Sequence, residues 1–266
     1  ENSPTTFKVG GYKLQNNNSR FTLDWEATNW LNIIVGSDFR SEQYVIKAGE
    51  EKSYTGEGVI SYQGTRPENS LVVNRNNFGG FADVNIRTGR FNIEGSSRFE
   101  QYIKYKPALA TKLAGLFKIA DENYFKWFLR TSRATGFRAP AMQQIYYNRA
   151  QTLISGGALS NRTTFNTFSP VIRLLGLDPL ESESSTTFSI GSEIIWDLQG
   201  KTLSLEADYY NIKLSNRIVL SSTISASQIA DSYTDLKQTL ASNNVSSLNF
   251  FINGVDTRTT GLDING

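Results

Sequence analysis

Apolar and polar residues alternate along much of this chain. The clearest case runs from Tyr124 to Tyr147, where Phe125, Trp127 and Leu129 fall on one side and Lys126, Arg130 and Ser132 mostly on the other. A period of two is what a strand with one apolar face requires. Gly136, Phe137, Arg138, Ala139 and Pro140 end that strand. Proline has no N–H for a ladder and pushes the residue before it out of the helical region.

The same pattern recurs from one end of the chain to the other. Phe21, Leu23, Trp25 and Ala27 alternate with Thr22, Asp24 and Glu26, and a tight turn follows at Thr28 and Asn29. Leu31, Ile33, Val35 and Phe39 then oppose Asn32, Gly36, Asp38 and Arg40. Phe78, Ala82, Val84 and Ile86 oppose Asp83, Asn85 and Arg87, while Phe91, Ile93 and Phe99 oppose Asn92, Glu94, Arg98 and Glu100. Leu109, Leu113, Phe117 and Ile119 make the next row. Phe188, Ile190, Ile194 and Trp196, then Leu203, Leu205, Ala207 and Tyr209, flank a turn at Gln199 and Gly200, and a last strand begins near Phe250. Residues 48–75, 141–184 and 217–248 read as long loops, the third with a short helix around Ile229 to Leu240.

Three features separate a membrane barrel from a soluble antiparallel sandwich, which also alternates. The strands read as about 9–12 residues, close to the length that crosses a bilayer at a tilt. Short turns at 28–29, 88–89, 121–123 and 199–200 alternate with longer connections at 48–75, 102–107, 141–184 and 217–248, as in barrels with short periplasmic turns and long outer loops. Each short turn has an aromatic beside it: Trp30, Phe91, Tyr124 with Phe125, and Trp196. That is the pattern of an interfacial girdle. The fold expected is all-β, an antiparallel up-and-down transmembrane barrel.

Composition narrows the chemistry. The 266 residues carry 27 basic and 25 acidic side chains, a net charge of +2 that makes no electrostatic case for nucleic acid. Cysteine and histidine are both absent, which excludes Ser-His-Asp and Cys-His nucleophiles and the common His-ligated metals. No catalytic residue, metal ligand or cofactor site is expected, and an enzyme is the weaker class. Glu50 with Glu51 and Asp121 with Glu122 point to opposite faces if extended, so they make poor acid–base pairs. Glu181 and Glu183 share a side, and their place before a strand suits a loop-to-strand polar contact. Gly56 and Gly58 read as turn glycines. The triplets beginning at Asn161 and Asn244 match the glycosylation acceptor pattern, which is common by chance.

The polar faces are informative as a set. Asp24, Glu26, Arg40, Asp83, Arg87, Glu94, Arg98, Glu100, Arg130, Glu206 and Asp208 would all point into a lumen. Tyr146, Tyr147 and Arg149, just beyond Pro140 in an outer loop, are the candidate ligand contacts, since aromatics with arginine in such loops grip ligands.

Several stretches together resemble the TonB-dependent outer-membrane receptors. They are residues 36–44 with 48–50, Arg75 to Asp83, Arg98 to Tyr102, Arg130 to Pro140, Asp208 to Leu220 and Phe250 to Asp263. None is specific alone, but their order and spacing over about 230 residues carry the resemblance. It implies a 22-stranded barrel with an N-terminal plug that imports a scarce nutrient with energy from the TonB complex. About ten of those strands are counted in this sequence, so residues 1–266 would be part of the barrel, without the plug or the final strands. The implied partners are the TonB complex, the plug, the lipid bilayer and a nutrient such as a metal chelate, cobalamin, sugar or peptide. The implied location is the bacterial outer membrane. Gly136 to Pro140 would be a family element near the outer mouth, structural before it is ligand-binding. After Tyr102 the family has a longer loop than the Ile-Lys-Tyr-Lys found here, so further loop residues are expected there. Glu1 to Pro4 do not read as the start of a signal peptide and Gly261 to Gly266 read as mid-strand, so a longer polypeptide is expected. A passive outer-membrane channel and a soluble β-rich binding or adhesion module are the alternatives.

Overall fold

The structure is a computed structural model, and it describes residues 7–55, 63–103, 106–155, 158–198 and 200–266. In chain order the strands are β1 (Gly11–Thr28), β2 (Leu31–Lys47), β3 (Leu71–Thr88), β4 (Phe91–Tyr102), β5 (Ala108–Asp121) and β6 (Phe125–Arg138). A helix α1 (Met142–Tyr146), a hairpin of β7 (Arg149–Ser155) and β8 (Ala158–Phe165), and a helix α2 (Pro170–Leu174) follow. The chain then runs through β9 (Glu183–Leu198), β10 (Lys201–Leu220), β11 (Ile224–Ser225), α3 (Thr234–Ser242) and β12 (Val245–Asn265).

Nine of the strands form one wall in the order β1-β2-β3-β4-β5-β6-β9-β10-β12. Every neighbouring pair in it is antiparallel. The short reversals all fall at one end, and Gly89 and Gly200 supply the positive φ of 47° and 83° that two of them need. Phe91 stacks on Phe117 at 4.8 Å and Phe125 meets Trp196 at 5.8 Å near that end.

The register fixes which side each residue takes. Leu23 pairs with Val35 and Val35 with Ala82, while Leu129 pairs with Phe117 and Ser192. On this side Phe21, Leu23, Trp25, Leu113, Leu205 and Leu262 are all exposed. A soluble surface does not leave a continuous apolar sheet face bare, whereas a hydrocarbon bilayer is its natural solvent. The other side carries the charges expected in the lumen, Asp24, Asp83, Glu94, Arg98, Arg130 and Asp208 among them, and Asp38 joins them there.

The wall has little core of its own, and the packed apolar clusters lie at the long-loop end. Val171 and Ile172 of α2, Leu236 and Leu240 of α3, and Val245, Leu248 and Phe250 of β12 bury one another. Tyr44 and Ile46 of β2 pack with Met142 of α1, and Ile145 packs with Leu180 and Ile218. The β7–β8 hairpin joins through β8, which runs parallel to the outer part of β12 from Val245↔Asn161 to Phe250↔Phe165. These pieces form a folded cap over one end of the wall.

Several expectations are corrected here. The wall strands span 12 to 21 residues, not 9–12. β1 begins at Gly11, ten residues before the alternation that starts at Phe21, and β12 begins at Val245, before Phe250. The loop expected over 48–75 ends at Ser70, and the one over 217–248 is shortened at both ends by β10 and β12. Segment 141–184 is no plain loop, since it holds α1, β7, β8 and α2. The β8–β12 pairing is parallel, an exception to the antiparallel rule that the wall itself obeys. The helix expected around Ile229 to Leu240 is present as α3, a few residues later. The longer loop expected after Tyr102 falls on residues 104–105, and Gly56, Gly58 and Gln199 are likewise outside the described residues.

Candidate functional site

Two groups of ion pairs line the polar side of the wall, and glycines make room for both. In the first, Arg98 of β4 donates through Nη2 to both oxygens of Asp38 on β2, at 3.1 and 2.8 Å, and through Nε to Glu100 at 2.7 Å. β3 lies between β2 and β4 and presents Gly79 there: a Cβ at that position would sit 2.6 Å from Asp38 Oδ1. Asn77, fully buried, donates to the other oxygen of Glu100 at 2.9 Å. In the second, Arg130 of β6 donates through Nε to Asp208 Oδ1 at 3.0 Å and through Nη2 to both Glu206 and Asp208. β9 passes between them with Gly191, where a Cβ would collide with Asp208. Among the described residues no three carboxylates come together as a metal site.

A third arrangement joins wall to cap. Arg75 and Glu42 are buried together, with Nε donating to Oε2 at 2.7 Å. The Arg75 guanidinium also donates through Nη1 to the backbone carbonyl of Pro140 at 2.6 Å and stacks over Tyr102 at 4.9 Å. Pro140 is itself buried. Arg138 forks onto Glu183, with Nε to Oε2 at 2.8 Å, and the same carboxylate accepts the Ile218 N–H at 2.8 Å. The Arg138 hydrogen bond and that N–H hold the Glu183 carboxyl below its usual range. Glu181 faces Lys106 at 3.5 Å, and its backbone exchanges two hydrogen bonds with Asn253. The loop-to-strand role expected of this carboxylate pair is the one found.

The candidate ligand residues lie at the rim beneath the cap. Tyr146 packs into the apolar clusters and meets Phe168 at 5.6 Å. Tyr147 meets Tyr12 at 5.7 Å, and Tyr12 stacks on the buried Tyr44 at 6.5 Å. Burial pushes the Tyr44 hydroxyl up to about 12, with Tyr12 and Tyr147 adding to it. Arg149 opens β7 opposite Thr164. The loop after β2 locks onto this region through Gln63 to Thr152 at 2.5 Å and Asn148 to Asn69 at 2.8 Å. Tyr12, Gln63 and Asn69 were not singled out in the sequence: they carry no motif, and only the register of β1 and the return of the β2–β3 loop bring them here.

The family model described as TonB dependent receptor-like, beta-barrel matches residues 2–266. The chain belongs to that family. Its outer-membrane place and barrel architecture follow, and the apolar side of the wall is the side that meets lipid. The receptor wall is similar to the siderophore receptor PirA of Pseudomonas aeruginosa, at 13% identity over 96% of this chain and 40% of that one, with a TM-score of 0.63. A mutant of the ferric enterobactin receptor PfeA from Pseudomonas aeruginosa matches at 16% identity over 94% and 32%, with a TM-score of 0.59. The RagAB peptide importer matches at 13% identity over 95% and 28%, with a TM-score of 0.53. At these identities the likeness is one of fold. The chain spans no more than 40% of the length of these structures. No curated protein matches it.

Proposed function

We propose that these residues form part of the barrel of an active importer that captures a nutrient outside the cell and moves it inward with energy from the TonB complex. In this reading a plug domain and further strands, beyond the present sequence, complete a barrel of about 22 strands. The inner ion pairs keep the lumen wet and give the plug a polar surface to lie against. The cap, with Tyr146, Tyr147 and Arg149 at its base, forms part of the ligand entrance.

The observation that carries this reading is the cap on the wall. Two long loops share one hydrophobic core, and the first of them is tied where it leaves the wall by Arg75, through the carbonyl of Pro140. A simple pore gains nothing from a folded lid at its mouth, whereas a capture site needs a shaped, largely preformed surface. The similar structures are titled as siderophore receptors and a peptide importer, so ferric chelates and short peptides are the first ligands to try.

The test uses the full-length receptor in cells that lack other routes for the nutrient. Growth on a ferric siderophore, or on a peptide as sole source, should require both the receptor and TonB. Uptake that continues undiminished without TonB would replace this reading with a passive channel.

A further inference from the structure

We propose that one water molecule is bound inside the outer rim, where it joins the loop after β2 to the start of β7. Three buried polar atoms point to it. Gln63 Oε1, Arg66 Nε and Asn148 Oδ1 are closed off from solvent and have no hydrogen-bond partner among the described residues. All three side chains line a single cavity of about 10 Å³, together with Gly64 and Arg149. That volume admits one water and no larger ligand, and small polar cavities with two to four partners are where proteins hold internal water.

The direct contacts fix which way the amides point. The Thr152 hydroxyl donates its one hydrogen to Asn161 Oδ1 at 2.7 Å, so toward Gln63 it can only accept. Gln63 therefore presents Nε2 to it, at 2.5 Å, and turns Oε1 to the cavity. Asn148 likewise donates through Nδ2 to Asn69 Oδ1 at 2.8 Å, which leaves its own oxygen facing inward. The cavity thus offers two acceptors and one donor. A water molecule answers all three at once, with two hydrogens for the carbonyls and a lone pair for the Arg66 N–H. A cation would stand against the Arg66 guanidinium with no carboxylate among the lining residues, and an anion would stand against two carbonyl oxygens.

The water completes a joint of polar contacts. In the cap, α2, α3 and β12 bury apolar side chains against one another. The loop after β2 instead meets the β7 segment through Gln63 with Thr152, Asn69 with Asn148, and this water. Parting such a joint exchanges these hydrogen bonds for others with bulk water. The loop can therefore open and reseal while the apolar core of the cap stays closed. Arg149 lines the same cavity, so the water also sets the position of the first residue of β7.

The test is a crystal structure of the full-length receptor at a resolution that shows ordered water. The expected result is one peak at roughly 2.7–3.2 Å from Gln63 Oε1, Asn148 Oδ1 and Arg66 Nε. A dry cavity, or one closed by direct contact among these side chains, would overturn the proposal. Anomalous signal at the peak in crystals soaked in bromide or rubidium would overturn the choice of water as the occupant. In solution, Arg66→Met keeps the stem and removes the N–H that faces the cavity. Amide hydrogen exchange at Gly64 and Thr65 should then quicken by about fivefold or more. Glu68→Gln, which removes only the 3.9 Å ion pair of Arg66, should leave these rates unchanged. No change in Arg66→Met, or equal change in both variants, would contradict the part given to the water in holding the loop. Neither readout involves import, so the outcome is separate from the proposed function.

Discussion

Arg75 Nη1 donates to the carbonyl oxygen of Pro140 at 2.6 Å, so a wall strand holds the segment where β6 leaves the sheet and the cap begins. The same guanidinium neutralises the buried Glu42 at 2.7 Å. Arg75→Ala would leave Glu42 buried without a partner, a loss of about 3–5 kcal/mol for a pair of this kind. In the detergent-folded full-length receptor, this variant should become sensitive to protease between residues 141 and 182. Adding Glu42→Gln should recover part of the lost stability, and no recovery would show that the carboxylate is not the source of the penalty.

The ion pair of Arg130 with Asp208 depends on an absent side chain. Gly191→Ala places a methyl group where Asp208 now lies, and the obstacle is a side chain held by two hydrogen bonds from Arg130. The variant should lose about 1–3 kcal/mol as the inner wall repacks. Asp208→Ala removes the obstructing carboxylate, so urea midpoints should fall less when Gly191→Ala is added to Asp208→Ala than when it is added to the wild type, and an equal fall in both backgrounds would show that Asp208 is not the obstacle.

The cap should unfold before the wall. Leu248 is fully buried among Val171, Leu236 and Leu240, and Leu248→Ala should cost about 2–5 kcal/mol. Hydrogen exchange should speed up across α2, α3 and the outer part of β12, while amides in β2 to β6 keep their protection. Equal acceleration throughout would mean that cap and wall are one cooperative unit.

Alkaline pH should loosen the rim. An exposed tyrosine ionises near pH 10, whereas Tyr44 holds its proton to about 12 in the folded protein. Between those values the unfolded chain binds fewer protons than the folded one, so stability falls as pH rises through that window. A tyrosinate absorbance titration should lose its last component in Tyr44→Phe, and an unchanged curve would contradict the burial argument. At the acid end the sign reverses: Glu183 is held low by Arg138, so its contribution is present at neutral pH and fades as pH falls below the usual carboxylate range.

The legible part of the fold was the part that touches lipid. From Phe21 to Trp25 or from Phe125 to Leu129, one face meets hydrocarbon and the other meets water, so composition alternates. The outer half of β1, with Gln15, Asn16, Asn17, Asn18 and Ser19, rises above the belt and is exposed on both faces. No alternation is demanded there, and the strand was invisible. In the cap, α1 and α2 are five residues each, too short for a helical repeat, and β8 is mostly polar. Tertiary packing decides their form. At the rim, Tyr146, Tyr147 and Arg149 were recognisable by residue type and position, but their neighbours Tyr12 and Gln63 come from segments far away in sequence.

The central claim is that this sheet is a barrel wall with one face in lipid and the other in a wet lumen. These 266 residues hold no cysteine, and in a full-length receptor with any other cysteine changed to serine, single cysteines replace Trp127, Phe128, Leu129, Arg130 and Thr131 in turn. After spin-labelling in a reconstituted bilayer, each site is read for collisions with oxygen, which concentrates in hydrocarbon, and with a polar nickel chelate. The account predicts that labels at 127, 129 and 131 favour oxygen, and that those at 128 and 130 do not. A flat profile, or oxygen access on the Arg130 side, would contradict it.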